Sequence, residues 1–252
     1  MRLYFKTIGQ GRPVILLHGL FGSSDNWHGV AARLAERFHV FIPDQRNHGQ
    51  SPHDPEMNYP VMADDLDAFC AAEGIDRAAW VGHSMGGKTA MQMALRHPHR
   101  VEKLVVADIA PRLYAPAHEK ILAAMQALEL AQYQTRPQLE AALAPEIPDL
   151  VLRRFLLKNV GRDTAGTFFW KLNLGALAEN YARLREPITG PAPFGGPTLF
   201  LRGDRSKYIQ PADEPLIRQW FPSARIETIA NAGHWLHADQ PEEFVRRLLA
   251  FL

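Results

Sequence analysis

Ala78-Ala79-Trp80-Val81-Gly82-His83-Ser84-Met85-Gly86-Gly87-Lys88 is a short apolar run that meets a serine between two glycines and then enters a helical pattern over 88–97. Its centre, Gly82-His83-Ser84-Met85-Gly86, matches G-x-S-x-G. Five residues with three fixed positions recur by chance, so the weight lies in the strand before the motif and the helix after it. A tight strand-to-helix turn lifts a serine hydroxyl clear of a sheet. It also aims the first helical amides at a reacting atom on which negative charge develops. Small residues at 82 and 86 keep neighbouring backbone off that strained turn. The competing reading, an ordinary serine in a small-residue turn, does not explain the flanking strand and helix.

Working outward, other short unbroken apolar runs end in polar or glycine-rich turns. They are Val14-Ile15-Leu16-Leu17 before His18-Gly19, Val40-Phe41-Ile42-Pro43 before Asp44, and Leu104-Val105-Val106-Ala107 before Asp108. Amphipathic stretches near 26–37, 60–73 and 85–97 separate them. Such runs suit strands buried on both faces, and strand–helix alternation implies an α/β fold with a mostly parallel central sheet flanked by helices. After Pro111 the pattern changes. Residues 113–186 read as helical with no clear strand; 117–131 and 150–159 are the best helices, and proline-rich breaks at Pro137 and at Pro145/Pro148 separate them. A Pro/Gly linker over 187–197 returns the chain to strand logic at Thr198-Leu199-Phe200-Leu201 and Arg225-Ile226-Glu227-Thr228-Ile229, and a last helix covers 241–252. The expected organisation is a core of 1–112 and 187–252 interrupted by a helical cap over 113–186, set above the C-terminal edge of the sheet.

A serine nucleophile needs a positioned base. His234, in Asn231-Ala232-Gly233-His234-Trp235, lies between the last strand and the last helix, at the same sheet edge as Ser84. His237 is its neighbour; a metal reading of His234-x-x-His237 lacks a third ligand at a usual spacing, so His237 is expected to be a pocket or structural group. The acid that orients the imidazole stays open between two strand-end aspartates, Asp108 and Asp204, either of which is also a plausible turn-former. His18-Gly19-Leu20-Phe21-Gly22 follows the first buried strand, so the backbone N–H groups of Leu20 and Met85 are the expected oxyanion donors. Ser23 and Ser24 are read as caps for a helix at Asn26. Asp44-Gln45-Arg46-Asn47-His48-Gly49-Gln50-Ser51 is read as a loop satisfying buried backbone groups rather than as catalytic. Lys88, one turn into the nucleophile helix, is either buried and paired or solvated.

Composition narrows the class. The 252 residues are 46% hydrophobic and 22% charged, which is globular rather than disordered, and long enough for a sizeable core. With 28 basic and 27 acidic residues and no basic run, nucleic acid is not an expected partner. The lone Cys70 excludes an internal disulfide. Met1–Thr7 lacks an apolar signal region and no run of about 18 apolar residues occurs, so a cytoplasmic protein without membrane attachment is expected.

Taken together, His18–Ser23, Asp44–Gly49, Gly82–Lys88, Asp108-Ile109-Ala110-Pro111 and Ala232–Trp235 resemble the α/β-hydrolase superfamily. Within it they are most similar to bacterial esterases of the YbfF type and their eukaryotic relatives, with Arg46-Asn47-His48-Gly49 the branch-specific mark. The resemblance covers most of the chain, the insert least. It implies cofactor-free hydrolysis of short acyl esters and thioesters, with no metal. It also bears on the acid. Most of the superfamily carries it two residues beyond the position of Asp204, where this chain has Ser206; the branch resembled here places it in the Asp-Ile-Ala-Pro segment, which implies Asp108, with Asp204 as the alternative. The resulting expectation is a serine hydrolase acting on short to medium acyl esters, with acyl-thioesters as a further class, through Ser84, His234 and Asp108 and an acyl-enzyme. Phe21, His83, Phe169, Trp170 and Trp235 are the candidate pocket residues, with Tyr114, Phe168 and Leu172 of the insert as further candidates for lining an acyl pocket. Carbon–carbon bond hydrolysis or perhydrolysis on the same residues, and a catalytically silent ligand-binding protein, are the rival readings. Oligomeric state is not legible.

Overall fold

The computed structural model describes residues 1–252. The strands in chain order are β1 (Phe5–Ile8), β2 (Arg12–Leu17), β3 (Phe38–Pro43), β4 (Ala78–His83), β5 (Val101–Ala107), β6 (Val160–Arg162), β7 (Phe168–Trp170), β8 (Thr198–Gly203) and β9 (Ala224–Ile229). Seven of them form one sheet in the order β1-β3-β2-β4-β5-β8-β9. β1 runs antiparallel to β3, and every other pairing in this sheet is parallel. The apolar runs divide between the two faces as strand geometry requires. Ile15, Leu17, Trp80, Leu104 and Val106 enter one core, while Val14, Leu16, Val81, Val105 and Leu201 enter the other.

Helices cover both faces. Helix α1 (His28–Leu34) and the last helix, Pro241–Phe251, bury Val30, Leu34, Phe244 and Leu248 on the second face. Helix α2 (Tyr59–Ala72) and helix α3 (Met85–Arg96) bury Met62, Leu66, Met91 and Ala94 on the first. The strand order steps outward from β2 to β3, then jumps back across β2 to β4. Adjacent loops therefore diverge at the C-terminal ends of β2 and β4, and ligands of open parallel sheets bind at such a crevice. Leu20 and Ser84 follow those two strands.

Between 113 and 186 the structure departs from the helical expectation. The helix read over 117–131 is shorter, Glu119–Ala127, and gives way to a 3₁₀ turn at Leu130–Gln132 because Leu128 adopts extended backbone. Pro137 opens a helix rather than breaking one: Arg136–Leu143 starts behind the Thr135 N-cap with proline in its first turn, where its missing N–H costs nothing. The helix Leu150–Leu157 is capped by Asp149, whose carboxylate accepts from Val151 N at 2.8 Å and Leu152 N at 3.1 Å. The expectation of no strand is corrected by the β6–β7 hairpin, in which Val160 pairs with Trp170 and Arg162 with Phe168. Three-residue strands are too short for a two-residue period to register. What closes the hairpin is Asp163, whose carboxylate accepts the amides of Ala165 (2.9 Å) and Thr167 (2.8 Å). β1 escaped the same way, being a four-residue edge strand with mostly exposed side chains.

Candidate active site

The turn after β4 holds Ser84 at φ 53°, ψ −118°. The glycines around it answer to close backbone approach. A Cβ on Gly82 would lie 2.2 Å from Gly86 O, and one on Gly86 would lie 2.4 Å from Leu17 O. Strain of this kind costs on the order of 1–3 kcal/mol and persists only where the surroundings enforce it. Asp108, after β5, is also left-handed, with φ 53°.

His234 joins the two. Its Nδ1 lies 2.8 Å from Asp108 Oδ2 and its Nε2 lies 3.0 Å from Ser84 Oγ. An ionised carboxylate can only accept, so Nδ1 carries the proton and Nε2 is left to accept from the serine hydroxyl. Asp108 is fully buried, and its remaining lone pairs are met by Gly203 N at 3.2 Å and by the Ser206 hydroxyl. Tyr208 stacks on the His234 ring at 3.8 Å between centroids. From beneath, His83 Nε2 donates to His234 O at 2.7 Å. Ring stacking, backbone bond and carboxylate together fix the imidazole's orientation.

Asp204 lies elsewhere. It is exposed, and its Oδ1 accepts Ala232 N at 3.1 Å; backbone amides of the 231–232 turn hold its carboxyl below the usual range. It braces the loop that delivers His234 without touching the imidazole. In the sequence Ser206 marks only the place where an acid is missing; in the structure its hydroxyl donates to the carboxylate of Asp108, the residue after β5.

The loop after β2 runs against the serine. A Cβ on Gly19 would come 3.3 Å from Ser84 Cβ, and the turn is closed by Gly22 N to Gly19 O at 2.9 Å. The Leu20 amide donates to no protein acceptor, and Met85, as the first residue of α3, has no intrahelical acceptor for its own. Both N–H groups are thus without a protein acceptor, on residues that line the same cavity as Ser84. Ser23 stands at the N-cap of the 3₁₀ turn Ser24–Trp27, its amide donating to Asn26 Oδ1 at 2.7 Å.

The polar loop 44–51 does structural work. Asp44 accepts Ser24 N at 2.6 Å and Gln50 N at 2.9 Å; Asn47 Oδ1 accepts Asp54 N at 2.8 Å and Asn173 Nδ2 at 3.0 Å. Gln45 N donates to His18 Nε2 at 3.0 Å. Burial holds His18 down to about 4 and His48 to about 3, so both stay neutral. His237 is likewise held to about 4, sandwiched between Trp27 (4.8 Å) and His83 (4.9 Å). Lys88 is buried but pairs with no carboxylate; its ammonium donates to three backbone carbonyls.

A cavity of about 450 Å³ opens on Ser84. Leu20, Met85 and Ile109 line it from the core, and Tyr114, His118, Tyr181 and Leu184 from the stretch 113–186, with Tyr208 beside them. Of the pocket candidates only Tyr114 lines it, which corrects the expectation for the rest. Phe21 is buried within the loop after β2, its carbonyl held by Asn159 Nδ2 at 2.7 Å. His83 is buried beneath His234. Phe169 is 45% exposed and covers Gly161; Trp170 packs against the core. Trp235 pairs with Phe155 at 5.5 Å beside a different groove. Aromatic richness drew attention to Phe169-Trp170, but one ring lies over Gly161 open to solvent and the other turns to the core, and neither reaches the cavity. Tyr208 and Leu184 carry no sequence signal that would have singled them out.

Comparison with known proteins follows the same lines. A family model described as alpha/beta hydrolase fold matches residues 12–241. The sn-1-specific diacylglycerol lipase of Mus musculus is 40% identical over 247 residues, covering 95% of this chain and 80% of that protein. Esterase YbfF of Escherichia coli is 38% identical over 241 residues, covering 95% and 92% respectively. Among solved structures, a marine microorganism esterase superposes with a TM-score of 0.97 at 44% identity, covering 100% of this chain and 99% of that one.

Proposed function

The chain belongs to the α/β-hydrolase family, and we propose that within it the protein is a carboxylic-ester hydrolase working through Ser84, His234 and Asp108. It is an enzyme of the esterase/lipase kind, as its relatives are. The observation that carries the finer reading is the unbroken relay Asp108–His234–Ser84, with contacts of 2.8 and 3.0 Å. In this reading His234 Nε2 takes the proton as Ser84 Oγ attacks the acyl carbon, and buried Asp108 stabilises the imidazolium. The Leu20 and Met85 amides hold the oxyanion. The protonated His234 gives its proton to the departing alcohol or thiol. Water, deprotonated by His234, then cleaves the acyl-enzyme.

Residues 113–186 act as a cap on a core of 1–112 and 187–252, since that stretch supplies seven of the 16 residues that line the cavity. A mostly apolar cavity of about 450 Å³ suits small or drug-sized ligands. Apolar walls select weakly, at about 1–3 kcal/mol per methylene, so the substrates are short to medium acyl esters with acyl-thioesters as a secondary class. The test is turnover of p-nitrophenyl esters of rising chain length beside acyl-thioesters, with fluorophosphonate labelling of Ser84. Labelling without ester turnover would leave the carbon–carbon and perhydrolase chemistries standing; absence of both would leave a silent binding protein.

A further inference from the structure

The two strands of chain that connect 113–186 to the rest of the molecule run side by side. Tyr114 N donates to Arg185 O at 3.0 Å and Ile188 N to Pro111 O at 2.9 Å, so 111–114 and 185–188 form a short paired neck. Beneath it lies a row of side-chain donors from α2 and α3. The Tyr59 hydroxyl donates to Leu184 O at 2.7 Å, and Gln92 Nε2 to Thr189 O at 3.1 Å. Between them Lys88 Nζ donates to Arg185 O (3.1 Å) and Glu186 O (2.5 Å) on the outgoing strand and to Arg112 O (3.0 Å) on the incoming one. Of this row, Lys88 alone reaches both strands. It is 1% exposed, and its nitrogen lies 5.0 Å and 5.4 Å from the ring centroids of Tyr114 and Tyr59.

We propose that Lys88 is a positioning residue: it ties both strands of the neck to the helix that carries Ser84, and so sets how the walls contributed by 113–186 stand over the nucleophile. The proposal rests on the reading of the Ser84 cavity as the acyl site. Three features argue for it. Lys88 lies one helical turn after Ser84, with its N donating to Ser84 O at 3.0 Å, so α3 links neck and nucleophile rigidly. Tyr114, Leu184 and Arg185, at the two ends of the neck, line the cavity, so a displaced neck moves its walls. Burying an ammonium without a carboxylate is costly, and an apolar side chain would fill the same volume; what the ammonium adds is donors for Arg112 O and Glu186 O, which no other group meets, and a second donor for Arg185 O beside Tyr114 N.

The groups facing Lys88 are Arg112 and Glu186 on the neck and the phenols of Tyr59 and Tyr114. Burial, reinforced by Arg112 and opposed by Glu186, pulls the ammonium down to about 7. A neutral amine keeps only two N–H groups for three carbonyls, so the tie loosens as pH rises through that value.

The experiment compares the parent with Lys88→Met, which keeps the stem and removes the donors. The ratio of kcat/KM for p-nitrophenyl octanoate to that for the acetate should change by at least about fivefold, mostly through KM. Exchange of the Tyr114 and Ile188 amides should quicken by about tenfold or more. Between about pH 6 and pH 9 the parent's chain-length ratio should drift, and in Lys88→Met it should not. An unchanged ratio with neck amides as protected as in the parent would overturn the proposal. An equal loss of kcat on every ester with KM unchanged would also overturn it, by placing Lys88 in the chemistry. Should Lys88→Met not fold, Tyr59→Phe with Gln92→Leu removes the flanking donors of the outgoing strand; faster Ile188 exchange and an altered ratio support the tie, and no change in either overturns it. Should the parent turn over no ester, the acyl-site reading falls while the exchange measurement still decides whether Lys88 holds the neck.

Discussion

At the scale of single residues the site separates groups that touch the reacting atoms from groups that hold them. Ser84→Ala removes the only hydroxyl within reach of His234 Nε2 and should lower ester turnover by several orders of magnitude and abolish fluorophosphonate labelling, with the fold intact because alanine fits the turn. Residual activity within about tenfold of the parent would remove Ser84 from its role. The acids are separable by the same logic. Asp108→Asn leaves shape and burial but offers an amide where the imidazole N–H needs an acceptor, which costs on the order of 10³–10⁴ in turnover. Asp204→Asn should cost far less, since it braces backbone at 3.1 Å and leaves the imidazole alone. Ser206→Ala falls between them. It removes one donor from the Asp108 carboxylate, and a bond to a charged group contributes about 1.5–3 kcal/mol, so a loss of roughly tenfold to a hundredfold is expected. Steady-state kinetics of the three variants, side by side, checks the ranking; Asp204→Asn ranking first would reverse the assignment.

Secondary-structure elements show what a sequence can and cannot disclose. β2, β3, β4, β5 and β8 were legible because strands buried on both faces need unbroken apolar runs, and β9, a partly exposed edge strand, because Ile226, Thr228 and Ile229 precede a turn at Asn231–Gly233; Ser84, Asp108 and His234 stood out as candidates because each follows one of these strands. β1, β6 and β7 were not, being edge or hairpin strands of three or four residues, too short for a two-residue period to register. The cavity wall was misread for a different reason. Which helix residue faces Ser84 depends on how 113–186 docks, and composition favours whatever is aromatic. Leu184→Ala therefore makes a sharper test of the wall than Phe169→Ala. Enlarging the cavity at Leu184 should shift the preferred acyl length upward by one or more carbons, worth about 1–3 kcal/mol per methylene, while Phe169→Ala should leave the chain-length profile as it was. Profiles of turnover against acyl length for the two variants decide it; a shift in Phe169→Ala alone would return the wall to the hairpin.

Across the whole molecule the same site imposes a pH dependence on folding. His18, His48 and His83 are buried and His118 and His237 partly buried, and desolvation holds His18, His118 and His237 to about 4, His48 to about 3 and His83 well below its ordinary value. They are spread over the loops after β2 and β3, the end of β4, the stretch 113–186 and the segment after His234, so their charging would strain every segment that meets at Ser84. In the unfolded chain each binds a proton near 6.5. Below that pH the unfolded state holds more protons than the folded one, so stability falls as pH falls, and the slope eases only once pH passes the folded values near 4. Each group adds up to about 1.4 kcal/mol per pH unit across its window, against a total of about 5–15 kcal/mol for a typical fold, so the protein should unfold in mild acid before all five are charged. His237 isolates one contribution. It makes no hydrogen bond and stacks on Trp27 at 4.8 Å, so His237→Phe removes a titrating group at little cost in packing. Urea unfolding of the parent and of His237→Phe at about pH 7.5, 6 and 5 should show parent stability dropping steeply and the variant dropping less, with the two closest at the highest pH, where the imidazole is neutral folded or not. Equal slopes would mean that His237 is charged within the fold, and a parent stability flat across that range would remove the buried neutral histidines as the source of acid sensitivity.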